Sequence, residues 1–240
     1  MSDNPAPGTE PSKPGILFVA SKVLHPDVLD PLDFTDWYEN THIQEVQSTG
    51  GISGTQRYES LSFHSRQRDT SAPKGPENQN LDYDFLTVYT FPDLSFRETE
   101  AFNSLDGQSM PNEMLLEKLF KQTAFITRFA EEVSVSGTPK AAPYLLSIAT
   151  SNGLSESVTP TSPPGSLRQL VVREGSLLSE FNRHWQTEPS EIVLVEADDM
   201  SQLDALKKDL EGAKDVEVGF WRLRRNYEGT ERKPAGWKPK

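Results

Sequence analysis

Apolar and polar residues fall into blocks that predict strand, helix, strand, strand, helix, strand, followed by the same order again. Gly15–Val23 (GILFVASKV) has the β-branched, apolar character of a buried strand. A helix is predicted to open at Phe34, with Asp33 as N-cap, favourable charge from Asp36 in the first turn, and Gly50-Gly51 closing it. Ser53–His64 and Leu81–Phe91 read as strands flanking an exposed loop, Ser65–Gln79. A helix near Ser95–Leu105, an amphipathic segment from Asn112 to Lys121 and a strand over Ala124–Val135 complete the first half. The second half offers a strand at Pro143–Thr150, a Ser/Thr/Pro-rich loop at Ser151–Gly165 and a short helical stretch around Ser166–Val172. Further strands are expected at Ser176–Trp185, Glu191–Asp198 and Val216–Arg225, with a helix over Ser201–Leu210.

This order is the split βαβ pattern of a ferredoxin-like sandwich, used twice. Val88–Leu105 and Leu194–Leu210 echo each other, both passing from a strand through Asp and a Ser cap into a helix. The fold class expected is α+β: two tandem ferredoxin-like βαββαβ units whose antiparallel sheets pack as a dimeric-type α/β barrel. Each sheet keeps one face free of helices, and pairing the units inside one chain covers it. The expected divisions are a leader at 1–14, an N-terminal unit at 15–137, a more degenerate C-terminal unit at 143–228 and a tail at 229–240.

Charge and composition narrow the function classes. With 240 residues and a net charge of -12, the chain has ample core but no broad basic surface, so nucleic acid is not an expected partner. The absence of cysteine removes thiolate nucleophiles and thiolate-held zinc or iron–sulfur sites. No apolar run reaches the roughly 20 residues of a membrane helix, so no membrane association is expected and a cytoplasmic location is the default. The opening MSDNPAPGTEPSKPG is polar and Pro-rich, without the apolar core of a secretory signal.

Chemistry concentrates in FTDWYENTHIQEV, Phe34–Val46. Phe34, Tyr38, His42 and Val46 lie four apart and share one ridge of the predicted helix, with Trp37 and Thr41 on the next. Such a ring-lined face with one imidazole reads as a pocket wall. His42 is the candidate acid–base residue, with Tyr38 or Tyr58 donating to a developing oxyanion and Phe34 and Trp37 stacking on an aromatic substrate. His25, in the loop after the first strand, is a candidate rim residue, against a plain surface histidine. His64 reads as exposed and His184 as a strand-end contact beside Trp185. The bland alternative for His42 is a helix-to-sheet hydrogen bond. His42 and Glu45 are too ordinary a pair to define a metal site, and no metal or cofactor is expected, although a single axial histidine leaves haem open. There is no GxGxxG, P-loop or nucleophile elbow.

Phe34-x-x-Trp37-Tyr38-x-x-x-His42-Ile43 resembles the F-x-x-[WY]-Y-x-x-x-H-[IVL] signature of EthD-like proteins in the dimeric α/β-barrel superfamily. The passage from Gly50-Gly51 to Arg57-Tyr58 is similar to that family's helix-to-second-strand connection, and the two-unit layout resembles its fungal tandem members. The resemblance implies a tandem ferredoxin-like barrel, in a superfamily that includes cofactor-independent monooxygenases, polyketide cyclases and decarboxylases, muconolactone isomerases and haem-binding peroxidases. Fold alone leaves the reaction open. The second-half segment SLRQLVVREG, taken as the motif's counterpart, lacks the aromatics and the histidine, which implies a single site in the N-terminal unit.

Two readings follow. One is a cofactor-independent lyase, decarboxylase, cyclase or oxygenase acting on a small aromatic or polyketide-like ligand. The other is a non-catalytic ligand-binding or interaction protein of the same fold. Either can be a monomeric pseudo-dimer or a homodimer. An enclosed cavity beside His42 and a tyrosine hydroxyl favours the first; a solidly packed ridge favours the second.

Overall fold

The apolar run of Gly15–Val23 is explained by burial on both faces of the strand it forms. In this strand, β1, Ile16, Phe18 and Ala20 turn to one buried cluster, while Leu17 and Val19 turn to another. The computed structural model describes residues 13–64, 82–109, 111–151, 165–175, 189–210 and 216–228. Within them the strands are β1, β2 (Gly54–His64), β3 (Phe85–Phe91), β4 (Thr123–Ser136), β5 (Tyr144–Thr150), β6 (Leu167–Gly175), β7 (Glu191–Ala197) and β8 (Val216–Tyr227). They close into one antiparallel barrel in the order β1-β3-β2-β8-β5-β7-β6-β4.

The first four strands run β4-β1-β3-β2 and the last four β8-β5-β7-β6, the same order in each half. Both seams, β2 with β8 and β4 with β6, join the second strand of one half to the fourth strand of the other. The expected α+β barrel is therefore the fold, and it is closed within one chain, so no sheet edge is left open.

Three apolar layers result. The barrel interior is filled by Phe18, Tyr58, Phe63, Leu86, Ile126, Ile192 and Trp221, among others. An ion pair crosses it, with Arg128 Nη1 and Nη2 donating to Glu217 Oε1 and Oε2 at 2.8 and 3.0 Å, and Trp221 Nε1 donates to Ser147 Oγ at 2.8 Å. Outside the first-half sheet lies an aromatic layer under α1 (Pro31–Trp37) and α2 (Ile43–Ser48). Outside the second-half sheet lies an aliphatic layer of Leu146, Ile148, Val193, Val195 and Leu203, the last on the helix Ser201–Leu210.

Several expected elements differ. Asp30, not Asp33, caps α1: its carboxylate accepts from Leu32 N–H at 2.8 Å, and Pro31 sits at the first helical position, where its missing N–H costs nothing. Leu167–Gly175 is a strand and not a helix, because its Val171-Val172 pair and flanking leucines lie between two partners, β4 and β7. SLRQLVVREG is thus no counterpart of the aromatic motif. The Ser95–Leu105 helix is two short turns, a 3-10 turn at Leu94–Glu98 and α3 (Glu100–Asn103), broken at extended Thr99. Asn112 caps α4 (Glu113–Lys118) by accepting from Leu115 N–H. Ser176–Trp185, Ser65–Gln79, most of Ser151–Gly165, the leader up to residue 12 and the tail from 229 lie outside the described residues. Among the described residues no helix is long and apolar enough to cross a membrane.

Candidate functional site

The aromatic motif does not run as one α-helix. Between α1 and α2, Tyr38–His42 forms a π-helical turn in which Ile43 N–H donates to the Tyr38 carbonyl. The wider turn shifts side-chain neighbours from four apart towards five apart, a feature often found at functional sites. It brings Trp37 onto His42, with ring centres 4.9 Å apart and planes 19° from parallel. Tyr38 meets the same imidazole edge-on at 5.2 Å and Phe34 at 5.6 Å. The single ridge expected from fourfold spacing is replaced by a cage in which Trp37 and Tyr38 both contact His42.

Below this cage lies a cavity of about 30 Å³, lined by Leu17, Trp37, Tyr38, His42, Tyr89, Phe125 and the turn Leu105–Gln108. His42 Nδ1 is buried and has no hydrogen-bond partner in the protein. Burial, helped by the positive charge of Arg57, pulls the imidazole down from 6.5 to about 4, so it is neutral at pH 7. Burial also raises the Tyr89 hydroxyl well above its ordinary value. The Tyr38 hydroxyl lies beside it without reaching hydrogen-bonding geometry.

Arg57 is the residue that the sequence reading did not place in the site. It is fully buried on β2, and Nη1 donates to Thr87 Oγ1 at 2.7 Å and reaches Ser21 Oγ at 3.4 Å. Its Nε and Nη2 have no partner. The guanidinium lies 4.0 Å from the Tyr38 ring centre and 4.5 Å from that of Phe85, so ring faces, not a carboxylate, surround the charge. Glu39 is the nearby acid, but Arg224 Nε holds its Oε1 at 2.6 Å. A bulge opposite Arg57/Tyr58 leaves Arg224 out of the β2–β8 register, free to reach that helix. In the sequence Arg57 stands only as part of the Arg57-Tyr58 passage, one of two charged residues, with Glu59, in an otherwise β-type run.

The structure thus gathers Phe34, Trp37, Tyr38 and His42 in one layer and adds Tyr89 and Arg57. Tyr58 does not join them. Next to Arg57 on the same strand, it takes the opposite face and packs in the barrel interior with Phe63 and Trp221, the sheet standing between it and His42. His25 is exposed in the turn before α1, where its carbonyl accepts from Val28 and Leu29 N–H. The second half does enter the site's surroundings, since Tyr227 of β8 belongs to the aromatic layer. Among the described residues no group of three His, Asp or Glu converges as metal ligands. A haem macrocycle does not fit beside His42, where the cavity is about 30 Å³ and Trp37 covers one face of the imidazole.

Fold and site together define a tandem ferredoxin-like barrel with one aromatic–histidine pocket outside its first sheet. Residues 26–106, about a third of the chain, match the EthD domain and span the whole cage from α1 to the turn at Leu105. No curated protein sequence matches the chain. Among solved structures, the candidate chlorite dismutase TA0507 is 9% identical with a TM-score of 0.45, aligned over 89% of this chain and 96% of its own. A chlorite dismutase variant from Candidatus Nitrospira defluvii is 12% identical with a TM-score of 0.45, over 88% and 92%. A candidate monooxygenase from Lactobacillus acidophilus NCFM is 8% identical with a TM-score of 0.42, over 90% and 96%.

Proposed function

We propose that this protein is a cofactor-independent small-molecule enzyme of EthD-like type, a cytoplasmic lyase, decarboxylase or cyclase in which His42 moves a proton on an aromatic or polyketide-like substrate. The observation that carries the reading is the buried, partnerless Nδ1 of a neutral imidazole on a cavity wall, beside the hydroxyl-bearing rings of Tyr38 and Tyr89. With its proton on Nε2, His42 presents Nδ1 as a base to a carbon next to a carbonyl. The Tyr38 or Tyr89 hydroxyl then donates to the oxygen where charge develops. Trp37 holds the imidazole by stacking and supplies an apolar wall for a ring.

A second reading, a non-catalytic ligand-binding or interaction protein of the same fold, is favoured by one observation. The cavity of about 30 Å³ holds a water or two or a single oxygen-bearing group, whereas ligand pockets run to roughly 300 Å³ and more. A ring enters only if the cavity wall moves; the lining turn Leu105–Gln108 carries Gly107 at φ 96°. The two readings part in deuterium exchange of acetophenone methyl protons, followed by proton NMR in D2O near pH 7. The enzyme reading expects the wild-type protein to accelerate exchange and His42→Asn to lose the acceleration. Equal rates for the two proteins would leave the binding reading standing.

A further inference from the structure

On the helix-facing side of the sheet, the register sets Thr55 of β2 opposite both Tyr89 of β3 and Tyr227 of β8. Arg57 follows two residues on along the same face of β2, opposite Thr87. Thr55 Oγ1, Tyr89 OH, Tyr227 OH, and Nε and Nη2 of Arg57 are all buried without a hydrogen-bond partner in the protein. Thr55 and Arg57 are 0% exposed, Tyr89 1% and Tyr227 6%. Every one of these groups can donate a hydrogen bond, and one is a permanent cation. A buried charge without a counter-ion is costly, and so is each unsatisfied donor. Together they ask for one kind of occupant, a group with several acceptor lone pairs and a negative charge.

We propose that Arg57, Thr55, Tyr89 and Tyr227 form an anion receptor that gives the His42 pocket its ligand class: small molecules carrying a carboxylate, or an oxygen that ionises to an enolate or phenolate. Tyr89 belongs both to this patch and to the cavity wall and is the link between them, while Arg57 lies behind the Tyr38 ring that lines the cavity. Ring faces and hydroxyls, rather than a carboxylate, surround the guanidinium and leave it available. Arg225 stacks over the Tyr227 ring at 4.7 Å, and Arg224 pairs with Glu39, the carboxylate whose charge both Arg57 and Tyr227 feel. Tyr227 comes from the second half of the chain, so this receptor exists only because the β2–β8 seam is closed. The corresponding layer of the second half is mainly aliphatic, with Phe220, and among the described residues none of the partnerless buried groups lies in its cluster.

The proposal deepens the acid–base reading and rests on the same cavity, so its test reads binding and not turnover. Benzoate and its neutral counterpart benzamide are titrated into the full-length protein by calorimetry, with thermal shift in parallel. The expected result is at least tenfold tighter binding of benzoate, a preference lost in Arg57→Met and reduced several-fold in Tyr227→Phe. His42→Asn is expected to keep the preference even where ketone exchange is lost, which separates failure of the receptor from failure of the catalytic reading. Unliganded Arg57→Met is expected to melt no lower than wild type, because it removes an uncompensated buried charge. Should that variant not fold, the decision passes to Tyr227→Phe combined with Thr55→Val. Equal affinity for the two probes, no binding of either, or an unchanged benzoate preference in the receptor variants overturns the proposal.

Discussion

Lowering the pH from 7 to 5 tests the electrostatics of the pocket most directly. His42 is held at about 4 when folded, against an ordinary histidine value of 6.5. A depressed histidine favours the folded state as a neutral ring, so the unfolded chain takes up the proton first as pH falls. Its contribution is therefore complete above about pH 6.5 and is lost progressively down to about 4. Working the two titrations through gives a loss of about 2 kcal/mol between pH 7 and 5, and about 3 kcal/mol by the time both states are protonated. Neighbouring Glu45 acts in the opposite sense, since partial burial and Asp106 raise its carboxyl above the ordinary value. Urea unfolding of wild type and His42→Asn at each pH isolates the histidine, because the Glu45 contribution is common to both. The difference in midpoints is expected to shift by about 1 M urea for an m-value near 2 kcal/mol/M. A difference that stays flat from pH 7 to 5, or an NMR titration of His42 near 6.5, would refute the burial argument.

Three further outcomes follow from packing. Gly51→Ala places a methyl 2.1 Å from a ring carbon of Phe96, so a loss of about 1–3 kcal/mol is expected in thermal or urea unfolding. Either Arg128→Ala or Glu217→Ala alone strands a charge in the barrel and is expected to cost about 3–5 kcal/mol, while a paired Arg128→Met/Glu217→Leu change costs far less; a double-mutant cycle reads the difference. Tyr58→Phe, altered in the barrel interior, is expected to leave acetophenone exchange unchanged, whereas Tyr38→Phe slows it.

The strand blocks and the order of the two halves were legible because apolar runs bounded by Gly, Pro and charged loops mark buried strands. Gly15–Val23 forms β1 over those same residues. Leu167–Gly175 was harder, since a short apolar run with polar interruptions fits helix and strand alike until its two neighbours are known. The cage around His42 was legible in its residues and not in its geometry: periodicity assumes 3.6 residues per turn, and the π turn at Tyr38–His42 breaks that assumption. Arg57 and Tyr58 could not be sorted by sequence, because adjacent strand residues face opposite layers and either phase is compatible with a strand buried on both sides. Tyr227 was out of reach altogether, since its place depends on the β2–β8 seam, which no local pattern encodes.

That seam also accounts for the asymmetry of the molecule. The two halves repeat the same strand order and meet through equivalent pairings, so the scaffold offers two equivalent layers between sheet and helix. One is filled mainly with Leu, Ile and Val, with Phe220 beside them, and among the described residues leaves no buried side-chain donors wanting. The other carries His42, Thr55, Arg57, Tyr89 and Tyr227, groups whose burial is costly without a compensating partner. Two identical chains forming the same barrel would have to bear that cost in both layers. Joining the halves in one chain lets the aliphatic layer supply stability while the aromatic layer keeps its unsatisfied polar groups. It also lets β8 send Tyr227 across into the aromatic layer of the first half.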